Sequence, residues 1–516
     1  MMQLAASEPV RPAYTLGWAV LWGVILTAVY LPSLGTGFDF ADDGPMVYPR
    51  HVNSLAGFAD LVWTRTQVDF HCNGPFRPVA WGVWSTESEL FQASPLTWRI
   101  ARHLWSIVAG TVLLLVFREF QVRPWPAVAA AALALWNPFR NEIWLSLTYS
   151  EGVAMPFALA SLICAVRAAR AKSPLAWDVA GVFMVLIALG CKNTFSAMVP
   201  VQALLRISAG EGTWAVRLKK HGLRAGALLL TLLFPLVHFC WYRSEWHPGQ
   251  YQVGFTWDQL PRFGRALGGA ISYDCLAPAL IAALVCVWLY SSAPKTRDLP
   301  REYWVACGAG LFLLVLGTIV YLPIGSASGR YTMPAIWGAD LLIAVLLSAV
   351  AILVPPLGQR IVCVAFFVGL IAIAVPNVGK QEQYAARLKM LWKTLYEVEH
   401  IAPAGARIAW VGAAWPNNGP EDLVDQEGVH FASHVQGRGR SDLQFQAVQA
   451  THATPSISVA AAGAGPPSFV ITGSPTVFER QKLLCMIDVP YWFGLYHYRS
   501  YLWAVGQDEN QQGEIR

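Results

Sequence analysis

Charge is the scarce ingredient of this chain. Asp, Glu, Lys and Arg together supply only 13% of its 516 residues, against about 25% in an ordinary soluble domain. Signature loops are missing too. There is no Walker-type loop, no G-x-G-x-x-G turn, no G-x-S-x-G elbow and no H-E-x-x-H helix, which removes the usual nucleotide-binding, serine-hydrolase and zinc-protease readings. The nine cysteines never form a C-x-x-C pair, so neither a zinc ribbon nor a redox motif is encoded. Several of them, Cys164, Cys286, Cys307 and Cys363, lie in apolar runs and read as small core residues. The eleven histidines are dispersed, so no metal site is expected.

What is present is apolar. Residues of the AVILMFWYC set make up 55%, with 23 Trp, 24 Phe and 17 Tyr, and the mean hydropathy is +0.41. That balance excludes a disordered chain and points to an α-helical polytopic membrane protein. A helix needs roughly 20 apolar residues to cross a bilayer. Apolar runs of suitable length suggest about eleven spans: 14–34, 102–118, 124–139, 146–168, 176–191, 194–208, 223–242, 268–290, 303–323, 332–354 and 359–376. The net charge of +5 is unevenly placed. Residues 1–376 hold 26 Lys/Arg against 19 Asp/Glu, and residues 377–516 hold 11 against 13. The chain therefore divides into a basic membrane part, 1–376, and a mildly acidic C-terminal part, 377–516.

Lys and Arg favour cytoplasmic loops. One alternating set holds Arg118, Arg123, Arg167, Arg170, Lys172, Arg217, Lys219, Lys220, Arg224, Lys295, Arg297, Arg301 and Arg360. This puts the N-terminus inside and, with an odd number of spans, residues 377–516 outside. No cleaved signal peptide is expected, because the first apolar run is too long and no A-x-A site follows it. The loop at 35–98 is far longer than a turn and rich in aromatics, which argues for ordered structure at the membrane surface. In the C-terminal part, Leu388, Leu391, Leu395 and Val398 predict a helix over 383–400. Arg407–Gly412 and Ser468–Thr472 read as strands, and 460–467 as a loop. A small extracytoplasmic α/β domain is expected.

Ionisable residues at membrane depth are functional candidates. Asp39, Asp42 and Asp43 follow the first span. Adjacent carboxylates near an apolar surface hold protons more tightly, which suits a general base, although Asp-Asp-Gly-Pro is also an ordinary turn sequence. Glu142, Glu151, Lys192, Asp274, Arg330 and Tyr331 fall at the same ends of other spans. Arg330 and Lys192 suit a phosphate, one as a fork and one as a point charge. Arg99 and Arg102 read instead as long side chains snorkelling to the interface.

Five stretches carry a family resemblance: Phe40-Ala-Asp-Asp-Gly-Pro-Met-Val, Phe76-Arg-Pro-Val, Asn137-Pro-Phe-Arg-Asn-Glu-Ile-Trp, Leu189-Gly-Cys-Lys-Asn-Thr and Gly329-Arg-Tyr-Thr-Met-Pro. Their order resembles the polytopic glycosyltransferases of the GT-C fold, in the protein O-mannosyltransferase-like branch (family 39 and the transmembrane O-mannosyltransferases). The resemblance covers residues 14 to about 376. Asn137 and Arg140 stand where the family often has His, Asn193 replaces an acid, and no TPR array follows. The resemblance implies transfer of a monosaccharide from a polyprenyl-phosphate donor to an acceptor hydroxyl of a protein, lipid or glycan, with inversion. It implies Asp42 as the catalytic carboxylate with Asp43 beside it. It implies Arg330, Tyr331 and Lys192 at the carrier phosphate, and Glu142, Glu151 and Arg77 shaping the site. The expected partners are the lipid bilayer, the polyprenyl-phosphate sugar and the acceptor, with no nucleic acid. No resident cofactor is identified; the carboxylates could recruit a divalent ion, although nothing has its ligand spacing. The expected location is a bacterial inner membrane, with the site on the periplasmic side. A polytopic transporter or lipid-carrier flippase is the alternative, although no repeated halves are visible.

Overall fold

The computed structural model describes residues 14–38, 47, 51–73, 76–92, 94–136, 142–147, 149–244, four positions between 257 and 264, 299–320, 333–353, 356–412, 442–449, 469–472, 481–491 and 496–505. Helix α1 is Leu16–Thr27, continued by a 3-10 segment to Gly35. Then follow α2 (Leu55–Asn73), α3 (Pro78–Phe91), α4 (Pro95–Glu119), α5 (Pro124–Trp136), the single turn α6 (Glu142–Leu145), α7 (Ser150–Arg170) and α8 (Leu175–Cys191). A 3-10 turn, Asn193–Ala197, leads to α9 (Met198–Ser208), α10 (Trp214–Leu229) and α11 (Leu233–Ser244). The last helices are α12 (Arg301–Ile319), α13 (Met333–Leu353) and α14 (Pro356–Ile401).

Among the described residues, seven helices are long and apolar enough to cross a bilayer, and α5 and α8 are shorter apolar helices. The chain is thus an α-helical membrane-embedded protein. The expected span at 268–290 lies outside the described residues. Exposed side chains behave as lipid requires. On α14, Leu357, Ile361, Val364, Val368, Ile371 and Val375 are all exposed. Their steps of three and four residues place them on one face. Helices α7 and α13 are instead buried almost all round and form the centre of the bundle.

Apolar burial cannot hold helices together against lipid tails, so small residues let backbones approach. Between α12 and α13, a Cβ on Gly317 would fall 2.3 Å from the Ala335 nitrogen, and one on Gly338 would fall 2.3 Å from the Gly310 oxygen. Between α1 and α4, a Cβ on Gly23 would meet the Ile107 carbonyl at 3.0 Å. These are backbone-to-backbone contacts, and a side chain has no room there.

One end of the bundle is an ionic belt. Glu119 takes Arg167 at 2.7 Å, Arg170 reaches Glu302 at 3.7 Å, and Asp178 takes Arg206 at 2.7 Å and Arg224 at 3.3 Å. These are the ends where the sequence places its basic loops.

Two expectations change. The run 359–376 and the helix 383–400 are one continuous 46-residue helix, α14, with Pro376 inside it. The expected domain boundary at 377 falls within that helix. A membrane helix tolerates an internal proline, because neighbouring groups take up the freed carbonyl. The long first loop contains two helices, α2 and α3. After α14, β1 (Arg407–Gly412), β2 (Gln444–Gln449), β3 (Phe469–Thr472), β4 (Gln481–Tyr491) and β5 (Tyr496–Val505) form a sheet in the order β2-β1-β3-β5-β4. β1 runs parallel to β2 and β3, while β5 is antiparallel to β3 and β4. The expected face of Leu388, Leu391, Leu395 and Val398 packs on this sheet through Ile408, Ile487, Val489 and Leu502. The region read as a loop, 460–467, lies outside the described residues.

Candidate functional site

The end of the bundle remote from the ionic belt holds a second set of polar contacts, and these are more deeply buried. Helix α3 begins with Arg77 just before Pro78, a favoured residue at a first helical position. Arg77 Nε donates to Asp69 Oδ2 at 2.8 Å and its Nη2 to Oδ1 at 2.9 Å, a two-pronged pair. Trp81 Nε1 adds a third bond to Asp69 at 3.0 Å. The guanidinium also lies over the Trp84 ring, 5.4 Å from its centre. The Asp69 side chain is only 2% exposed.

Helix α4 supplies two buried arginines. Arg102 pairs with Glu87, which also accepts from Trp105 Nε1 at 3.3 Å. Burial pushes the Glu87 carboxyl up, opposed by the Arg102 charge and the hydrogen bonds from Trp105 and Arg102. Arg99 donates to the Leu145 carbonyl and, at 2.7 Å, to the Gly37 carbonyl. The expectation that Arg99 and Arg102 snorkel is therefore overturned. Each is 1% exposed. Glu87 takes one nitrogen of Arg102, and the Gly37 and Leu145 carbonyls take two of Arg99, so both heads are anchored inside the protein and not at the interface.

Glu151, in the first turn of α7, pairs with Lys192, at the junction of α8 and the 3-10 turn. The next residue, Asn193, meets His238 of α11 side chain to side chain. His238 lies within a ring cluster of Phe70, Phe76 and Trp241. A Cβ on Gly190 would fall 2.5 Å from Val79 Cγ2, so the end of α8 sits directly on the start of α3. One on Gly152 would lie 3.3 Å from the Ile143 carbonyl, joining α7 to α6. Phe195 stacks on Trp337 of α13, with ring centres 5.6 Å apart.

The contacts form one connected network. Arg99 ties Gly37 to Leu145; α6 touches α7; Glu151 holds Lys192; Gly190 rests on Val79, two residues from Arg77. Three of the five motif stretches, or residues directly beside them, thus meet at one end of the bundle, together with Gly37, three residues before a fourth. Phe195 and Trp337 link the fifth through the start of α13.

Several of the expected site residues cannot be placed. Asp39, Asp42, Asp43, Asp274, Arg330 and Tyr331 lie outside the described residues, and of Glu142 only its place at the start of α6 is described. The flanks of the acidic run are described. Phe38 and Val47 are both fully buried, Phe38 edge-on to Trp392 of α14 at 5.6 Å. A Cβ on Gly37 would meet Trp392 at 3.1 Å.

Sequence reasoning passed over Asp69, Glu87 and Asp340. Asp340 is fully buried in α13 and is the only acid in that helix, a signal visible in the sequence. Asp69 and Glu87 sit in mixed-polarity stretches with no spacing signal. Arg102 Nε and Nη1, Trp84 Nε1 and Asn193 Oδ1 are buried and find no hydrogen-bond partner among the described residues. Buried donors in apolar surroundings suit an anionic or hydroxyl-rich ligand. Among the described residues, no group of three or more His, Cys, Asp or Glu stands close enough to hold a metal ion. No family model matches the chain, and a search of curated proteins finds no match.

Proposed function

We propose that this chain is a membrane glycosyltransferase of the GT-C type, moving a monosaccharide from a polyprenyl-phosphate carrier to an acceptor hydroxyl with inversion. The observation that carries this reading is the buried network joining Gly37, Arg77, Arg99, Leu145, Glu151 and Lys192. Stretches remote in sequence, three of them resembling family motifs, meet there, an arrangement that suits an amphiphilic donor reached sideways from lipid. The preference of Lys and Arg for cytoplasmic loops supports assigning the ionic belt to the cytoplasmic end and this site to the extracytoplasmic side of a bacterial inner membrane. The sheet after α14 lies on the same side and suits acceptor recognition.

In this reading Asp42 accepts the proton of the acceptor hydroxyl. The freed oxygen bonds to the anomeric carbon from the face opposite the phosphate. The carbon–oxygen bond to phosphate breaks, and its electron pair leaves on the phosphate. General-base assistance of this kind contributes about 10²–10⁴ in rate. Arg330, three residues before the start of α13, receives the departing charge. Arg102 joins it as a candidate, because two of its donor nitrogens have no partner among the described residues. Lys192 already faces Glu151, so its charge is balanced by that carboxylate.

The test uses the purified chain in liposomes with a polyprenyl-phosphate sugar labelled in the sugar. Label leaving the lipid for a protein or glycan fraction supports the reading. Labelled lipid crossing the bilayer with its sugar still attached would instead establish the flippase alternative.

A further inference from the structure

At the belt end, most guanidinium groups are matched. Arg118, Arg167 and Arg170 surround Glu119, and Arg206 and Arg224 share Asp178. The corner between α9 and α10 is different. Arg217 Nη1 and Arg301 Nη2 both donate to the Ser208 carbonyl, each at 2.7 Å, and Arg301 also reaches the Gly210 carbonyl. Neither arginine meets a carboxylate among the described residues. Two guanidinium groups on one carbonyl repel each other, and a carbonyl dipole does not cancel their charge. Lys219 and Lys220 stand exposed on the same first turns of α10. Glu211, the acid of the turn itself, is exposed and makes no ion pair among the described residues.

Unmet hydrogen-bonding capacity gathers at the same corner. Arg217 Nε, Ser208 Oγ and His221 Nε2 are buried with no partner among the described residues, and His221 is only 3% exposed. Leaving such atoms unsatisfied costs free energy that a bound polar group recovers. The surroundings identify the class of that group. Trp214 is half exposed and lies beneath the Arg217 guanidinium, 5.3 Å from ring centre to Cζ. Val216, Leu218 and Leu223 are exposed on the helix that continues into the apolar length of the bundle. Cations interleaved with Trp and aliphatic side chains match the boundary between head groups and acyl chains.

We propose that this corner binds the phosphate of an anionic phospholipid. Arg217 and Arg301 hold the phosphate, Lys219 and Lys220 flank it, and Trp214, Val216 and Leu218 lie against the glycerol and upper acyl region. The site is at the opposite end from the transfer network and stands or falls separately from it.

Native mass spectrometry of the full-length protein, equilibrated in detergent with equal phosphatidylglycerol and phosphatidylcholine, reads the preference directly. The wild type retains phosphatidylglycerol in preference to phosphatidylcholine. The double variant Arg217→Gln/Arg301→Gln binds it about thirty-fold more weakly, on the basis of roughly 1 kcal/mol per cation and 1.4 kcal/mol per tenfold. The exposed pair Lys219→Gln/Lys220→Gln loses less, and it leaves the packed turn untouched should the arginine variant misfold. Equal retention of the two lipids by the wild type overturns the proposal. So does unchanged phosphatidylglycerol retention in both variants. Displacement of the lipid by inorganic phosphate at matched concentration would mark a free-phosphate site and overturn the lipid assignment.

Discussion

Removing one half of the Glu151–Lys192 pair exposes what the network costs and supports. The Glu151 side chain is 2% exposed and that of Lys192 is 16% exposed. Lys192→Met removes the cation facing a carboxylate that has almost no access to water. Breaking a buried pair from one side costs about 3–5 kcal/mol. Glu151→Gln leaves an ammonium that retains some hydration, so its cost falls near the lower end, about 3 kcal/mol. The double variant leaves neither charge behind, and replacing a whole buried pair is often close to neutral. The two losses therefore fail to add: single losses of about 3–5 and about 3 kcal/mol against a near-neutral double variant give a coupling of about 6 kcal/mol or more, above the usual range for contacting residues. The assay is equilibrium unfolding of the purified protein by SDS in mixed micelles, followed by fluorescence of its 23 tryptophans. Additive single losses, with a coupling below about 0.5 kcal/mol, would refute the claim that these side chains hold each other in a dry environment.

Gly317→Leu should lower the same unfolding midpoint by about 3 kcal/mol or more, since the new side chain meets the α13 backbone rather than a side chain that can rotate away. Gly308→Leu on the same helix is the control: nothing lies within 4 Å of its Cβ position, and its midpoint should barely move. Arg99→Met leaves the Gly37 and Leu145 carbonyls short of a buried donor, at about 1–3 kcal/mol each, with Arg99→Lys recovering part of the loss in the same titration. Burial, and then the charge of Glu397, push the Cys485 thiol up. Mass-spectrometric mapping should find iodoacetamide alkylation at Cys485 slower in the folded protein than in the denatured chain, with the difference shrinking as pH rises and the thiolate forms in both.

Helix positions were legible because long apolar runs leave few alternatives. The starts were less so. Helix α4 begins at Pro95 rather than near residue 102, because its first turns carry Arg99 and Arg102, which hydropathy treats as outside the membrane. Only the three-dimensional partners, Glu87 and the carbonyls of Gly37 and Leu145, explain how those charges are buried. The Lys192 break was legible from its charge between two apolar runs, and Glu151 from being a short acid unable to snorkel. That the two face each other was not, since 41 residues separate them. In the sheet, β1 and β3 showed as compact apolar runs. β5 carries alternating Tyr496, Tyr498, Leu502 and Ala504, a period-two signal overlooked among its polar neighbours.

In the proposed transfer reaction Asp42 is the base. The direct measurement is single-turnover sugar transfer by Asp42→Asn, supplied with a defined polyprenyl-phosphate sugar and an acceptor that the wild type glycosylates. Folding is checked by the SDS midpoint. With Asp42 as the base, the midpoint stays unchanged and the rate falls by about 10²–10⁴ or more. Transfer at close to the wild-type rate would contradict that role.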